Sequence, residues 1–155
     1  MRLAVTLSAL MLIGAGASRA ADEQAWGFVP SDGDVRLFYG VPDSGSLTIS
    51  FICEFKRKRI VLVSTVLPSR LKKGQRLKTT LRNGDKANTY AGKVGYSEAE
   101  GFYFDATVPA DPKVLDVVRS GQTLVIEAPG KTETVPLNGV ADPLRQFDAA
   151  CFRKR

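Results

Sequence analysis

The chain contains 155 residues, a length typical of a single domain. It contains no histidine, and this absence excludes Ser-His and Cys-His nucleophile pairs and the common zinc sites. Lys and Arg number 22 against 16 Asp and Glu, so the formal net charge is +6 at pH 7, which favours acidic partners without identifying one.

The first 20 residues have the pattern of a secretory signal peptide. Arg2 supplies a positive charge, residues 3–17 form an apolar run, and Ser18-Arg19-Ala20 places small residues where a signal peptidase cuts. A cut after Ala17 fits the pattern nearly as well. An uncleaved anchor is the alternative, but the apolar run is shorter than the roughly 20 residues that span a bilayer.

Residues 21–155 are therefore expected to form one bacterial domain, periplasmic or secreted, without a transmembrane segment. Removal of residues 1–20 takes away Arg2 and Arg19 and no acid, so the net charge falls from +6 to +4. The two cysteines, Cys53 and Cys151, are expected to form a disulfide, because secretion exposes the chain to an oxidising compartment. Two unpaired buried thiols are the alternative.

Strand patterns begin after a lead-in over residues 22–29. That segment carries Trp26 and Phe28, which we expect to pack as a flap on a sheet edge, because aromatic side chains bury large areas. A ligand platform is the alternative for this aromatic pair. A strand is predicted over residues 35–41. A hairpin over residues 46–66, with a very basic turn between its strands, is expected to form the centre of the domain.

Further strands alternate with turn signals in the second half of the chain. Asn83-Gly84-Asp85 is a tight-turn signal that joins residues 75–82 and 86–95 into a hairpin. The second strand of this hairpin is weakly patterned, which suits a sheet edge. The remaining strands are predicted over residues 102–108, 122–127 and 132–137.

Two short helices are expected beside these strands. Residues 111–121 form one, capped by Asp111. The other begins at Asp142, and helical spacing places Cys151 on its buried face, within reach of an inward-facing Cys53. The predicted fold class is all-β: an antiparallel β-sandwich or barrel of about eight strands with two short helices, the C-terminal one tied to the sheet by the disulfide.

The hydrophobic core is expected to take one face of each strand and to be closed by the C-terminal helix. On the central hairpin this places Thr48, Ser50 and Glu54 on the opposite face. The predicted core residues are Leu47, Ile49, Phe51, Leu77, Leu81, Phe102, Phe104, Leu124, Ile126, Leu144 and Phe147.

Two basic runs are the strongest candidates for a binding site. The residues in question are Lys56, Arg57, Lys58 and Arg59 in the central hairpin, and Arg153, Lys154 and Arg155 at the C-terminus. Each run begins within three residues of a cysteine, so a disulfide would bring both to one side of the molecule. They are predicted to bind an anion: a polyanionic envelope component, an anionic membrane surface or an acidic protein. The alternative is that they only keep a turn and a chain end solvated.

A resemblance narrows the expected setting. The residues Ser46-Leu47-Thr48-Ile49-Ser50-Phe51-Ile52-Cys53, followed by a basic turn and a β-branched strand, resemble the central hairpin of small bacterial periplasmic proteins associated with type VI secretion. Residues 134–140 with Leu144 and Cys151 are similar to their closing strand and cysteine-bearing helix, and to the ends of invasion-associated locus B proteins. The resemblance implies a periplasmic, disulfide-tied β-domain in an envelope or secretion context. It implies no catalytic or ligand-binding residue.

The predicted function is that of a non-catalytic interaction module of the bacterial envelope, with no metal and no cofactor. A secreted chain lacks ready access to nucleic acid, so none is expected as a partner. An inhibitor or accessory subunit of an envelope or secretion enzyme is the alternative, although inhibitors of lysozyme-like enzymes are expected to be acidic. A hydrolase using two carboxylates is a third interpretation, for which strand residues such as Asp105 and Glu127 could converge.

Overall fold

The structure is a computed structural model, and it describes residues 23–152. The predicted signal peptide, residues 1–20, lies outside the described residues. The C-terminal basic run also lies outside them, so the structure does not place Arg153, Lys154 or Arg155.

Nine strands form a single antiparallel sheet in the described part of the chain, which confirms the predicted all-β class. The strands are β1 Ala25–Ser31, β2 Asp34–Gly40, β3 Leu47–Glu54, β4 Arg59–Ser64, β5 Arg76–Asn83, β6 Lys86–Ser97, β7 Gly101–Pro109, β8 Thr123–Ala128 and β9 Lys131–Pro136. Their order is β1-β2-β3-β4-β7-β6-β5-β8-β9. The sheet is not closed, because within residues 23–152 no strand pairing joins β9 to β1. A side chain joins the two edges instead: Trp26 Nε1 of β1 donates to the carbonyl oxygen of Pro136 in β9 at 2.7 Å.

The inner face of the sheet is the face that carries Ile49, Phe51 and Cys53 of β3, and it forms the core. Directly opposite Cys53 and Phe51 lie Ile60 and Leu62 of β4, and all of these side chains are almost fully buried. Both segments are rich in β-branched residues, which favour strands, and the period of two places every second side chain of each in the core. The other face, which carries Ser50 and Ile52, is the outer face.

Most of the predicted core is confirmed. Leu47 and Leu77 are only half-buried. The prediction for Phe102 is wrong, because its side chain is 40% exposed. The pairing of β4 with β7 ends at Ser64 opposite Phe104, so Phe102 lies beyond the end of β4 and packs on Tyr96, with ring centroids 5.1 Å apart. The predicted core residues that are buried are Ile49, Phe51, Leu81, Phe104, Leu124, Ile126, Leu144 and Phe147.

The sheet has one strand more than predicted, because the lead-in is itself a strand. Trp26 is buried in β1, where it contacts Tyr39 of β2 with ring centroids 5.5 Å apart. The lead-in is therefore itself the edge strand of the sheet and not a flap packed on that edge.

The strand β6 lies inside the sheet, between β5 and β7, and not at an edge. Its weak pattern arises from Gly92 and Gly95, each covered by an aromatic ring of β7. The ring of Phe104 comes within 2.7 Å of the place that a Cβ atom on Gly92 would occupy, and the ring of Tyr103 similarly covers Gly95. The sequence therefore loses its alternation where a neighbouring strand supplies the missing side chain.

Alanine substitutions at these glycines are expected to differ. Gly92→Ala should lower the free energy of unfolding by about 1–3 kcal/mol, because its Cβ would meet the backbone carbonyl of Asp105 as well as the Phe104 ring. Gly95→Ala should lower the free energy of unfolding by less, because its Cβ atom would meet only the movable end of the Tyr103 side chain. Urea unfolding of both variants measures the difference, and an equal loss in the two would contradict this explanation of β6.

Two short helices close the core. The first is a 3₁₀ helix, Pro112–Val118, and not the predicted helix over residues 111–121, as its β-branched valines disfavour a longer helix. Its predicted cap is confirmed: the Asp111 carboxylate accepts from the Lys113 backbone N–H at 2.9 Å. The second helix, α1, spans Ala141–Cys151. Arg119 donates to the carboxylate of Asp148 at 3.0 Å and so joins the two helices.

No helix within the described residues combines the length and hydropathy that crossing a membrane requires.

Candidate functional site

The predicted disulfide is present and holds α1 against the central hairpin. Cys53, the second-last residue of β3, is bonded to Cys151, the last residue of α1, with their Cα atoms 5.9 Å apart. Cys53 faces the core, as the period of two predicted. The bond therefore fixes the end of α1 beside the turn that follows β3.

That turn carries the first basic run, and we call residues 55–59 the basic turn. Lys56, Arg57 and Lys58 are exposed. Lys58 has a φ of 50°, a left-handed conformation that reverses the chain, and its N–H donates to the carbonyl of Phe55 at 3.3 Å. The N–H of Ala110 donates to the carbonyl of Lys58 at 3.1 Å. The basic turn is thus anchored to the segment that leads into the 3₁₀ helix.

Glu54 partly neutralises the basic turn. Its carboxylate accepts a hydrogen bond from Arg59 Nε, and Arg57 Nη1 lies 3.4 Å from the same oxygen. The hydrogen bond from Arg59 is the main cause that lowers the pKa of Glu54, and the charges of Arg59 and Arg57 act in the same direction. Lys56 and Lys58 have no ion-pair partner among residues 23–152. The four cations and one carboxylate leave a net charge of +3, with the two lysines available for a ligand.

The lowered pKa of Glu54 predicts a pH dependence of stability. A carboxylate whose pKa is lower in the folded state stabilises the protein above its unfolded pKa of about 4.5, and this contribution is lost as the pH falls through the folded value. We expect the melting temperature of wild type to exceed that of Glu54→Gln at pH 7, and the difference to shrink steadily as the pH falls below about 4.5. Thermal unfolding between these values measures it. A constant difference would mean that the Glu54 charge contributes nothing to folding.

A cavity of about 510 Å³ lies between the basic turn and the disulfide. Lys58 and Phe55 line it from the turn, Cys151 and Phe152 from the end of α1, and Pro112 from the 3₁₀ helix. Phe152 is the last described residue, and its ring packs on Phe147 with centroids 6.3 Å apart. The disulfide thus brings the end of α1 and the basic turn to one cavity.

The other predicted chemistry is not assembled. Asp105 in β7 and Glu127 in β8 are separated by β6 and β5, and three strand spacings amount to roughly 14 Å. Glu127 forms an ion pair with Arg82 at 3.4 Å. These two carboxylates therefore do not form the pair that a hydrolase needs. In residues 23–152, moreover, no three or more His, Cys, Asp or Glu side chains are grouped so that they could bind a metal ion.

A second group of cations, which was not predicted from the sequence, lies on the outer face of β5 and β6. Arg76 lies directly opposite Lys93, and Lys78 follows Arg76 on the same face. The signal was present: the Asn83-Gly84-Asp85 turn pairs Asn83 with Lys86, and counting back along both strands places Arg76 opposite Lys93.

Comparison with known proteins found no matching family model, no similar curated protein and no similar solved structure. The resemblance to periplasmic secretion-associated and invasion-associated proteins stays a prediction.

Proposed function

We propose that this protein is a non-catalytic interaction module of the bacterial envelope that binds an anionic partner through the basic turn. A secreted or periplasmic setting is supported by the disulfide, since such bonds persist in oxidising compartments. The lack of histidine in the chain supports a role in binding over nucleophilic catalysis.

One observation carries the proposal: Lys58 and Phe152 line the same cavity beside the disulfide. The second basic run starts at the residue after Phe152. We infer that the disulfide lets these two basic runs, 94 or more positions apart in the sequence, contact the same partner. Such convergence concentrates positive charge and attracts polyanions such as anionic lipid head groups or lipopolysaccharide.

The proposal predicts that the two lysines of the basic turn determine the affinity. Lys56→Gln with Lys58→Gln should weaken binding to vesicles that contain phosphatidylglycerol by roughly 30-fold, because each lysine near an anionic surface contributes about 1 kcal/mol. Arg57 and Arg59 are left intact, because their pairing with Glu54 would confound the result. Vesicle co-sedimentation at about 0.15 M ionic strength measures the affinity, and a thermal melt should show stability within about 0.5 kcal/mol of wild type.

The matched control is Lys72→Gln with Lys73→Gln, which removes the same charge from an exposed loop between β4 and β5. This variant should bind within about twofold of wild type, because exposed charges more than about 8 Å from the ligand are screened at physiological ionic strength. An equal loss in both variants would show that only net charge matters and that the basic turn is no site.

A further inference from the structure

A cationic groove lies on the outer face of the sheet, away from the basic turn. Arg76 of β5 and Lys93 of β6 are directly opposite each other, and both are exposed. Lys78 lies two residues further along the same face of β5. Opposite residues of an antiparallel pair have Cβ atoms about 4.5–5.5 Å apart, and like charges at that distance repel. None of the three cations has an ion-pair partner in the part of the chain that the structure describes.

The floor of the groove is made of small side chains. Ala91 lies directly opposite Lys78, and the backbone of the neighbouring Gly92 also lines the groove. Thr107 of β7 and Pro129 of the β8–β9 turn complete a groove of about 820 Å³. That volume falls in the range of about 300–1,000 Å³ found for small-molecule sites, which combine a mostly apolar lining with a few polar groups.

Beyond the groove the outer face is aliphatic. Thr107 lies opposite Val61 of β4, and Val61 lies opposite Ile52 of β3. Val61 and Ile52 are only half-buried, and neither belongs to the core that the helices close. A row of small and aliphatic side chains therefore runs from the cationic groove across two further strands.

We propose that this face binds a single anionic amphiphile, a phosphate or carboxylate head group joined to an aliphatic chain. The head group is held by Arg76, Lys78 and Lys93, where it relieves the repulsion between the opposed cations. The chain lies over Ala91 and Thr107 towards Val61, with apolar atoms on both sides of the contact.

Two features of the groove select such a ligand over other anions. The carboxylate of Asp105 lies opposite Lys93 on the same face and disfavours negative charge towards β7. The head group is therefore confined to the β5 side, and an extended polyanion fits poorly. Inorganic phosphate would satisfy the cations but would leave the apolar floor exposed to water.

Dodecyl phosphate, below its critical micelle concentration, is the probe. Dodecyl phosphate is titrated into the isotope-labelled protein. It should change the amide chemical shifts of β6 and β7 near Ala91 and Thr107. Lys78→Gln with Lys93→Gln should weaken binding by about tenfold or more. A single hydrogen bond to a charged group already changes an affinity by about tenfold or more. Ala91→Leu, which fills the floor without changing charge, should weaken it as well.

The control variants separate this site from the basic turn. Lys72→Gln with Lys73→Gln, and Lys56→Gln with Lys58→Gln, should bind dodecyl phosphate as wild type does. Equal loss in all three lysine pairs would overturn the proposal in favour of net charge. Equal affinity for inorganic phosphate would reduce the groove to a simple anion site, and equal affinity for neutral dodecyl maltoside would reduce it to apolar adsorption. Either result would overturn the proposed amphiphile, and neither would bear on vesicle binding by the basic turn.

Discussion

The double substitution Cys53→Ala with Cys151→Ala is expected to lower the free energy of unfolding by about 3–5 kcal/mol. The bond joins residues 98 positions apart, and the chain-entropy description gives roughly 4.7 kcal/mol for closing a loop of about 100 residues. Both cysteines are replaced so that no free thiol remains to form other bonds. Urea unfolding measures the change, with the m-value fitted separately for each protein because the unfolded chain without the bond exposes more surface.

If the free energy of unfolding of this variant falls by less than about 1 kcal/mol, α1 packs against β3 without the help of the disulfide. If the variant still folds, its vesicle binding also tests the proposed site. Because the bond holds the end of α1 at the basic turn, the folded variant should bind phosphatidylglycerol vesicles more weakly than wild type.

The second large effect is expected at Phe104. Its side chain is fully buried in the middle of β7, and it fills the space over Gly92 of β6. Phe104→Ala should therefore lower the free energy of unfolding by about 3–5 kcal/mol, through lost burial and the cavity that remains.

Phe102→Ala is the matched control, since it removes the same ring two residues away on the same face of the same strand. The Phe102 side chain is 40% exposed and packs mainly on Tyr96, so the loss should stay below about 1.5 kcal/mol. Chemical denaturation of both variants is the measurement. Similar losses would mean that the end of β7 is as well packed as its middle.

Local patterns in the sequence are sufficient to predict the positions of most of the strands. The alternation of Ile49, Phe51 and Cys53 predicts which face of β3 is inward, and the Asp111 cap predicts where the 3₁₀ helix begins. The pairing of Cys53 with Cys151 also follows, because one faces inward by the period of two and the other by helical spacing.

Burial at the ends of strands depends on neighbours that the sequence does not reveal. Phe102 has the alternation of a core residue, but β4 ends opposite Phe104 and leaves it uncovered. Gly92 and Gly95 interrupt the alternation of β6 and so suggest an edge strand. In the structure, aromatic rings of β7 occupy the space beside these two glycines inside the sheet. In both cases the deciding contact comes from a strand that lies elsewhere in the sequence.

The sequence is sufficient to predict where the candidate site lies, but it does not reveal which of its charges form ion pairs. The run from Lys56 to Arg59 lies at a turn, as the flanking strands predicted. The pairing of Glu54 with Arg57 and Arg59 depends on the shape of that turn, which the residue types alone do not determine. The opposed cations Arg76 and Lys93 required the register of the β5–β6 hairpin.

Amide mapping with anionic bicelles tests whether the basic turn is the anion-binding site. Bicelles containing phosphatidylglycerol, added to isotope-labelled protein at low salt, should first perturb the amides of residues 55–59 and of Phe152. These changes should fade as salt is raised, because screening weakens contacts between exposed charges. Perturbations confined to the far end of the β6–β7 pair, at Tyr96 of β6 and Phe102 of β7, or none at residues 55–59 at low salt, would contradict the assignment of the basic turn as the anion-binding site.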